Sequence, residues 1–576
     1  MATLFRAGLA LEREYTLGVW DGHDSGAALV RGDEVVVAIN EERLTRRKLE
    51  VLFPRNAILA CLDYAKISPK DIEDIAYTTT DFAKTLTRNF PSLKEEYYRI
   101  RRRKAAPSVL TSFKKSVKYR LTQLFPSRWT RAASDWAVHR ELAALGFHHF
   151  DLHCIDHHGA HAAGAFFSGF DPAAVLTLDG IGDGLSGSVY RFENGCLDLL
   201  STIPGAGSLG IFYEHVTNLM NMRELEDEGK VMALSNLAYP VPDAENPMLP
   251  WVQVEGMSVR VAYSSLGLYR RLKEVFWQFP SEQFCYMAQR TLEQRAIELV
   301  QNVMRTTGLR QLVFSGGVAS NIKVNRLIRN LPEVDDLFVF PHMGDGGQAV
   351  GAAVFFAAQK AKTRMFRAND FCLGPSYDDS QIEAALKRSS FTYERPPDIV
   401  EAAAERIASG EIVFWFQGRM EYGPRALGAR SILALPNSLK IKDDLNLKLK
   451  KRVWYQPFCP SILEEDARDM LEDFAAGSPD RYMTCAYMVK ETHREKLAGI
   501  LGFDGTCRPQ IVKDQTSLFG QLLGRVKRMT GVGALLNTSM NIHGQPLVCS
   551  PVDALRALEQ SGGRWLAIGG YLVKKA

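Results

Sequence analysis

A strand ending in Asp-Gly, a Gly/Ser-rich turn and two further strands occur twice in this chain. The first copy runs Leu17-Gly18-Val19-Trp20-Asp21-Gly22, turns at His23-Asp24-Ser25-Gly26, and continues as Ala27-Ala28-Leu29-Val30. After Arg31-Gly32-Asp33 comes Val35-Val36-Val37-Ala38. The second copy runs Val175-Leu176-Thr177-Leu178-Asp179-Gly180 and turns through Ile181-Gly182-Asp183-Gly184. It continues through Ser188-Val189-Tyr190-Arg191-Phe192 and, past Glu193-Asn194-Gly195, into Leu197, Leu199 and Leu200. Apolar runs separated by short Gly, Asp and Asn turns are hairpins. A repeat of this kind predicts two similar half-domains around a nucleotide cleft. Gly180 and Gly182 let backbone N–H groups approach an anion, and Asp21 and Asp179 stand at strand ends, where a carboxylate can hold a cation or water near phosphate.

Between the copies and after them lie metal-ligand residues. His157-His158-Gly159-Ala160-His161 puts His157 and His161 four residues apart, on one face of a helix. Met343-Gly344-Asp345 supplies a distant carboxylate at another strand end. Two imidazoles and one carboxylate form an open coordination set, suited to catalysis rather than to a closed structural site. A third nucleotide-type element is Leu312-Val313-Phe314 followed by Ser315-Gly316-Gly317-Val318-Ala319-Ser320-Asn321. Gly316-Gly317 between strand and helix permits close packing of a base or ribose.

Composition narrows the class. With 576 residues, 46% of them hydrophobic, the chain has material for two large cores. A net charge of +4 is too mild to require nucleic acid. The nine cysteines are odd in number and contain no Cys-x-x-Cys, which points to a reducing, cytoplasmic setting and away from zinc ribbons. No apolar run reaches membrane-span length and no signal peptide is apparent. The segment from Lys94 to Arg131 departs from this balance: it is dense in Lys and Arg, with Tyr97, Tyr98, Phe113, Tyr119, Phe125 and Trp129 among them. It reads either as the solvated face of an inserted helical hairpin or as a binder of RNA or an anionic acceptor.

Several blocks, in order, carry a resemblance. They are His23-Asp24-Ser25, Glu41 to Lys48, His157 to His161, Glu228-Gly229-Lys230-Val231-Met232, Ser315 to Asn321, Gly344 to Gly347, Gly418 to Gly428, Asp504 to Arg508, and Leu536 to Ser539. On them the chain resembles the O-carbamoyltransferases of antibiotic and nodulation-factor biosynthesis. The resemblance implies an α/β protein of two domains. The first, 16–365 after an extension 1–15, is a duplicated actin/sugar-kinase/heat-shock ATPase-like domain with a basic insertion at about 84–135. The second, 370–576, is a YrdC-like α/β domain. The boundary falls near Thr363 to Leu373, before a helix expected over Ser380 to Lys387.

The resemblance also implies a two-step, ATP-dependent reaction. In the second domain carbamoyl phosphate and ATP, with magnesium, give carbamoyl adenylate. In the first domain the carbamoyl group passes to a hydroxyl of a small-molecule acceptor. A metal on His157, His161 and Asp345 is expected to be iron(II) or another divalent ion. His23 is the expected base and Lys48 the expected stabiliser of developing charge. Asp21, Asp179, Gly180, Gly182, Lys230, Gly316, Gly317 and Asn321 are the expected adenylate contacts. Arg419, Arg425, Lys451, Arg452, Arg508, Asn537 and Ser539 are expected on carbamoyl phosphate and ATP, with Arg425 catalytic. Arg430 and Lys450 are read as surface charges. Gln456-Pro457-Phe458 departs from the usual Arg-Pro-Phe, so a permanent charge is missing there; Met540 and His543 also depart. The alternatives are a tRNA threonylcarbamoyl-type enzyme and a non-catalytic nucleotide-binding protein. The acceptor and the number of copies in the assembly stay open.

Overall fold

The structure, a computed structural model, describes residues 14–106, 117–475, 477–478 and 480–575. Most of the expected N-terminal extension therefore lies outside the described residues, as do Phe113, Lys114, Lys115 and Ser116 of the basic segment. The chain divides into two units. One holds residues up to Glu41 and Leu49–Asn369; the other holds Glu42–Lys48 and Asp370–Ala576.

The first unit contains the repeat as two five-stranded sheets. The first comprises β1 (Tyr15–Trp20), β2 (Gly26–Arg31), β3 (Glu34–Asn40), β4 (Ile72–Thr78) and β5 (Asp151–Ile155). The second comprises β6 (Ala173–Gly182), β7 (Leu185–Glu193), β8 (Cys196–Pro204), β11 (Gln311–Ser315) and β12 (Asp336–Val339); a separate hairpin, β9 (Val252–Glu255) with β10 (Ser258–Val261), lies between β8 and β11 in the chain. Their orders are β3-β2-β1-β4-β5 and β8-β7-β6-β11-β12. In each, the hairpin-linked strands are antiparallel and the last two join in parallel. Parallel pairing needs long crossovers. The crossover from β4 to β5 carries the expected insertion, with helices Phe82–Asn89, Pro91–Arg101 and Arg128–Ala143.

Small residues bring the helix Gln348–Ala361 close to its neighbours. A Cβ on Gly18 of β1 would meet the Ala349 carbonyl oxygen at 1.9 Å, and one on Gly351 would meet that of Ala160 at 2.0 Å. The second contact fixes this helix against the short helix His157–Ala162, whose N-terminus is capped by Asp156 accepting from Gly159 N at 2.6 Å.

The second unit is built on an eight-stranded mixed sheet. Its strands are β13 (Thr392–Glu394), β14 (Val413–Phe416), β15 (Arg430–Ala434), β16 (Cys459–Leu463), β19 (Gln510–Val512), β20 (Ala534–Ser539), β21 (Trp565–Ile568) and β22 (Tyr571–Lys574). Their order is β13-β22-β21-β14-β15-β20-β16-β19, and β17 (Tyr487–Met488) pairs with β18 (Thr506–Cys507) apart from it. The helices Ile399–Ala408 and Leu518–Thr530 contribute to a core with Trp415, Leu433, Leu535 and Trp565. The helix expected over Ser380 to Lys387 spans Asp379–Lys387, with Asp378 as its cap. Segment Glu42–Lys48 belongs here: Arg43 donates to Gly423 O at 2.9 Å, and Arg46 to Leu547 O at 2.6 Å and Pro546 O at 2.9 Å.

Gly351→Ala is expected to lower the thermal midpoint, with a cost of about 2 kcal/mol from forcing two backbones apart. Calorimetric unfolding beside Gly524→Ala, at a helical position where a side chain meets no atom, checks this; equal effects would contradict it.

Candidate functional site

His157, His161, Asp179 and Asp345 converge, their ligand atoms all within 4.8 Å of one another. They come from three pieces of backbone: the capped helix presents both imidazoles, Asp179 lies late in β6, where its register shifts, and Asp345 follows β12. His157 Nε2 lies 3.3 Å from Asp179 and 3.5 Å from Asp345; His161 Nε2 lies 3.3 Å from Asp345 and 3.8 Å from Asp179. Thr79 Oγ1 sits 2.9 Å from His157 Nδ1, and Gln348 Nε2 donates to the His157 carbonyl at 3.1 Å, so the ring is oriented from behind. Gly317 N donates to Asp179 Oδ1 at 2.7 Å. Asp183 ties the surrounding loops together, accepting from the backbone N–H of Thr80, Asp81 and His157.

The donor set fits a divalent cation. His161 Nε2 and Asp345 Oδ1 are buried without a hydrogen-bond partner, a costly state for polar atoms unless something else binds them. Two nitrogens and two carboxylates suit iron(II), zinc or manganese. Without a cation, protons compensate the acids. Burial pushes the His161 imidazole down, but Asp179 and Asp345 outweigh it and raise the ring to about 9. His157 is also raised: Asp345 and Asp179 override burial and the repulsion of His161. Burial pushes Asp179 up, but the two imidazoles hold it well below the ordinary carboxylate range. His158 points elsewhere, to Thr177 Oγ1 at 2.9 Å, and burial drives it down to about 3.

His23 Nε2 lies 3.3 Å from Asp345 Oδ2, with its side chain 36% exposed. Desolvation by its surroundings lowers it, against the pull of Asp345, which favours the neutral imidazole a base needs. His23, His157, Asp179 and Asp345 all line a 1540 Å³ cavity within the first unit.

Other expected residues are placed differently. Asp21 meets no cation site. Arg88 grips it through Nε and Nη2, both at 2.8 Å, and Lys84 Nζ lies 2.8 Å away. Gly182 serves packing: a Cβ there would meet His157 Cγ at 2.2 Å. Asn321 caps the helix Ile322–Arg329 and donates to Gln289 Oε1 at 2.9 Å, while Lys230 pairs with Asp227 at 2.7 Å. Gly316 has φ +93° at the turn after β11. Lys48 groups with the second unit, where it pairs with Glu42 at 3.2 Å. The described part of the basic segment is divided: Arg99, Arg103, Lys104, Arg120, Arg128 and Arg131 are exposed, while other cations turn inward. Arg101 pairs with Glu214 at 2.7 Å and Glu224 at 3.1 Å, Arg102 pairs with Glu226, and Lys94 donates to the Asp21 carbonyl.

In the second unit a cationic cluster forms around Cys459. Arg508 donates to Cys459 Sγ through Nε at 3.1 Å and Nη2 at 2.9 Å. Burial, then repulsion from Arg508, lowers Arg425 to about 9, and its Nε has no hydrogen-bond partner. Arg452 is lowered to about 9 by burial, with Arg508 adding to the shift, and it lies over the Phe458 ring. Glu421 shapes the loop that carries Arg425, accepting from the N–H of Leu427, Ala429 and Arg430. Asn537 Nδ2 donates to Ala426 O at 3.2 Å, tying β20 to that loop. Arg419 is turned to the Leu373 and Gly374 carbonyls.

Two expectations are overturned here. Arg430 and Lys450 are not surface charges but buried. Arg430 donates to the carbonyls of Gln417 and Gly418 and lies over Phe416. Lys450 Nζ reaches Ser539 O, Asn541 O and Asn541 Oδ1, while neighbouring Lys451 is exposed. Their buried polar environments are supplied by carbonyls distant in sequence, which a local charge pattern does not reveal. Asp179 as a fourth ligand, Thr79, Gln348 and Cys459 were also missed. Only Asp179 had a sequence signal, its strand-end position in the repeat.

A family model of the carbamoyltransferase N-terminus matches residues 16–247 and 263–354, and one of the carbamoyltransferase C-terminus matches 404–575. The chain belongs to the carbamoyltransferase family and is a carbamoyltransferase. It is 31% identical to nodulation protein NolNO of Sinorhizobium fredii, over 96% of this chain and 79% of that protein. To nodulation protein NolO of Bradyrhizobium diazoefficiens it is 32% identical, over 73% of this chain and 79% of the relative. Among solved structures, full-length HypF in its phosphate- and nucleotide-bound form aligns over 60% of this chain and 55% of that one, at 12% identity and a TM-score of 0.35. No helix of the described residues is long and apolar enough to cross a membrane.

A cation entering the cluster must displace the His161 proton. Manganese(II) affinity, measured by calorimetry, is therefore expected to weaken about tenfold for each pH unit below about 9. Asp179→Asn should lower the metal content of the purified protein. In the metal-free protein the raised His161 value works the other way on stability. Its contribution is complete below the ordinary value of 6.5 and is lost as pH rises through about 9.

Proposed function

We propose that the two units divide an ATP-dependent carbamoyl transfer between them. The second unit, read as YrdC-like, takes carbamoyl phosphate and ATP with magnesium. Water cleaves the phosphorus–oxygen bond of carbamoyl phosphate to release phosphate, the carbamate left behind attacks the α-phosphorus of ATP, and pyrophosphate leaves. Both substrates are polyanions, so fixed guanidinium groups lacking carboxylate partners are the chemistry required. Arg425, Arg452 and Arg508 meet that need: they crowd together against their own repulsion, which a bound anion would relieve. Lys450 stiffens the Ser539–Asn541 turn beside them. Gln456 supplies an amide where a cation is usual, and Arg425, Arg452 and Arg508 supply the guanidinium groups there without it.

The first unit then moves the carbamoyl group from the adenylate to an acceptor hydroxyl. The observation that carries this reading is the buried convergence of His157, His161, Asp179 and Asp345 beside a neutral-leaning His23, all on one cavity. His157, His161, Asp179 and Asp345 would hold a divalent cation, iron(II) by resemblance, which supplies Lewis-acid polarisation of oxygen when bound. His23 Nε2 accepts the proton of the acceptor hydroxyl. The acceptor oxygen bonds to the carbamoyl carbon, the carbon–oxygen bond to the adenylate phosphate breaks, and AMP leaves with the electron pair. Gly316 and Gly317, at the turn after β11, receive the adenylate's nucleoside.

An acceptor-free assay tests the first half. With ATP, carbamoyl phosphate and magnesium, the protein is expected to form carbamoyl adenylate and pyrophosphate, detected by mass spectrometry. Arg425→Ala should slow that formation by roughly a hundredfold or more, the scale of removing one charge-stabilising donor. Intact carbamoyl phosphate in the wild-type mixture would refute the two-step reading.

A further inference from the structure

The cavity beside His23 is larger than one small alcohol needs. The described residues enclose 1540 Å³, against roughly 300–1,000 Å³ for an ordinary small-molecule site. Gly316, Gly317, Asn321 and Lys230 take no part in its wall. The nucleotide-type turn and the cavity therefore use different residues and share Asp179, which the turn holds through Gly317 N.

Two glutamates of the cavity wall are already engaged by neighbouring side chains. Glu214 and Glu224 are both bound by Arg101, and they accept further hydrogen bonds from Tyr119 Oη and Asn218 Nδ2. Asp81 caps its own helix through Lys84 N at 2.9 Å. An incoming ammonium group would have to break a buried ion pair to reach either glutamate, and that leaves Arg101 uncompensated. Lys118 sits 3.6 Å from the centre of the Tyr97 ring and Lys104 5.5 Å from that of Tyr98; with Arg103 and Arg120 also in the wall, basic side chains outnumber acidic ones there, which disfavours a polycation.

The wall also presents apolar surface. Leu93, Val117 and Leu266 line the cavity, yet they stay 42%, 37% and 45% exposed. A cluster of exposed aliphatic side chains around one concavity marks a surface that is covered in use. Within it, the Tyr97 hydroxyl is buried without a hydrogen-bond partner.

We propose that this cavity takes a bulky, largely apolar and uncharged hydroxyl compound as the carbamoyl acceptor, and discriminates against polycationic acceptors. The proposal rests on the transfer reading above for the fate of the hydroxyl, and on the cavity alone for the class of molecule. Leu93 and Leu266 grip the apolar body, and His23 meets the hydroxyl at the metal end.

The test uses the full chain and a neutral apolar fluorophore, N-phenyl-1-naphthylamine, as probe. Erythronolide B, an uncharged hydroxylated macrolactone, and kanamycin, a polycationic polyol, compete for it. The probe is expected to bind, to be displaced by erythronolide B, and to resist kanamycin at the same concentration. The double variant Leu93→Asn/Leu266→Asn, altered at exposed positions, should bind the probe about tenfold more weakly, with carbamoyl adenylate formation unchanged. Displacement by kanamycin, no displacement by erythronolide B, or undiminished probe binding in the variant would overturn the proposal. A wild-type chain that makes no carbamoyl adenylate would instead refute the two-step reading, and the displacement data then judge the cavity independently.

Discussion

Four ionisable side chains packed inside a low-dielectric interior must compensate one another. In the first unit that requirement falls on His157, His161, Asp179 and Asp345. Isolated, each charge would be costly to bury. Together they form a site whose empty state is held by protons and whose donor atoms suit a divalent cation. Much nearby backbone serves this arrangement. Asp183 gathers three N–H groups around the His157 turn, Gly317 N fixes Asp179, and Gly182 has no side chain because His157 occupies that space.

The duplicated sheets explain where the ligands come from, and also why the duplication is functionally unequal. Each sheet delivers an aspartate at the end of its first strand. Asp179, in the second sheet, faces the imidazoles. Asp21, its counterpart, is neutralised by Arg88 and Lys84 from the helix Phe82–Asn89, which the first sheet carries in its β4–β5 crossover. An insertion specific to one half thus converts a possible ligand into a structural ion pair. The same insertion supplies the helix Pro91–Arg101, whose residues line the cavity beside the His/Asp cluster.

Strand pattern and turn chemistry are local, so the repeated hairpins and the His157/His161 face were legible in the sequence, whereas the second α/β unit was expected only through the family resemblance. The spacing of imidazoles along a helix needs no tertiary knowledge. Long-range compensation was not legible. Nothing near Lys450 in sequence announces that Ser539 and Asn541 will bury its ammonium group, and nothing near Arg101 announces Glu214 and Glu224. Lys48 illustrates the same limit: its motif was readable, but segment Glu42–Lys48 groups with residues that follow it by hundreds of positions. The basic segment was legible only in part: Arg99, Arg103, Lys104 and Arg120 face solvent, but the acids that pair with Arg101 and Arg102 lie far along the chain.

The central claim is that the His/Asp cluster consumes carbamoyl adenylate and has no part in making it. A single-turnover experiment on His161→Ala, with water standing in for the acceptor, separates those steps. Carbamoyl adenylate should appear at the wild-type rate, while AMP release from it falls by about a hundredfold. A variant that fails to form the adenylate, or releases AMP as fast as the wild type, would contradict the account.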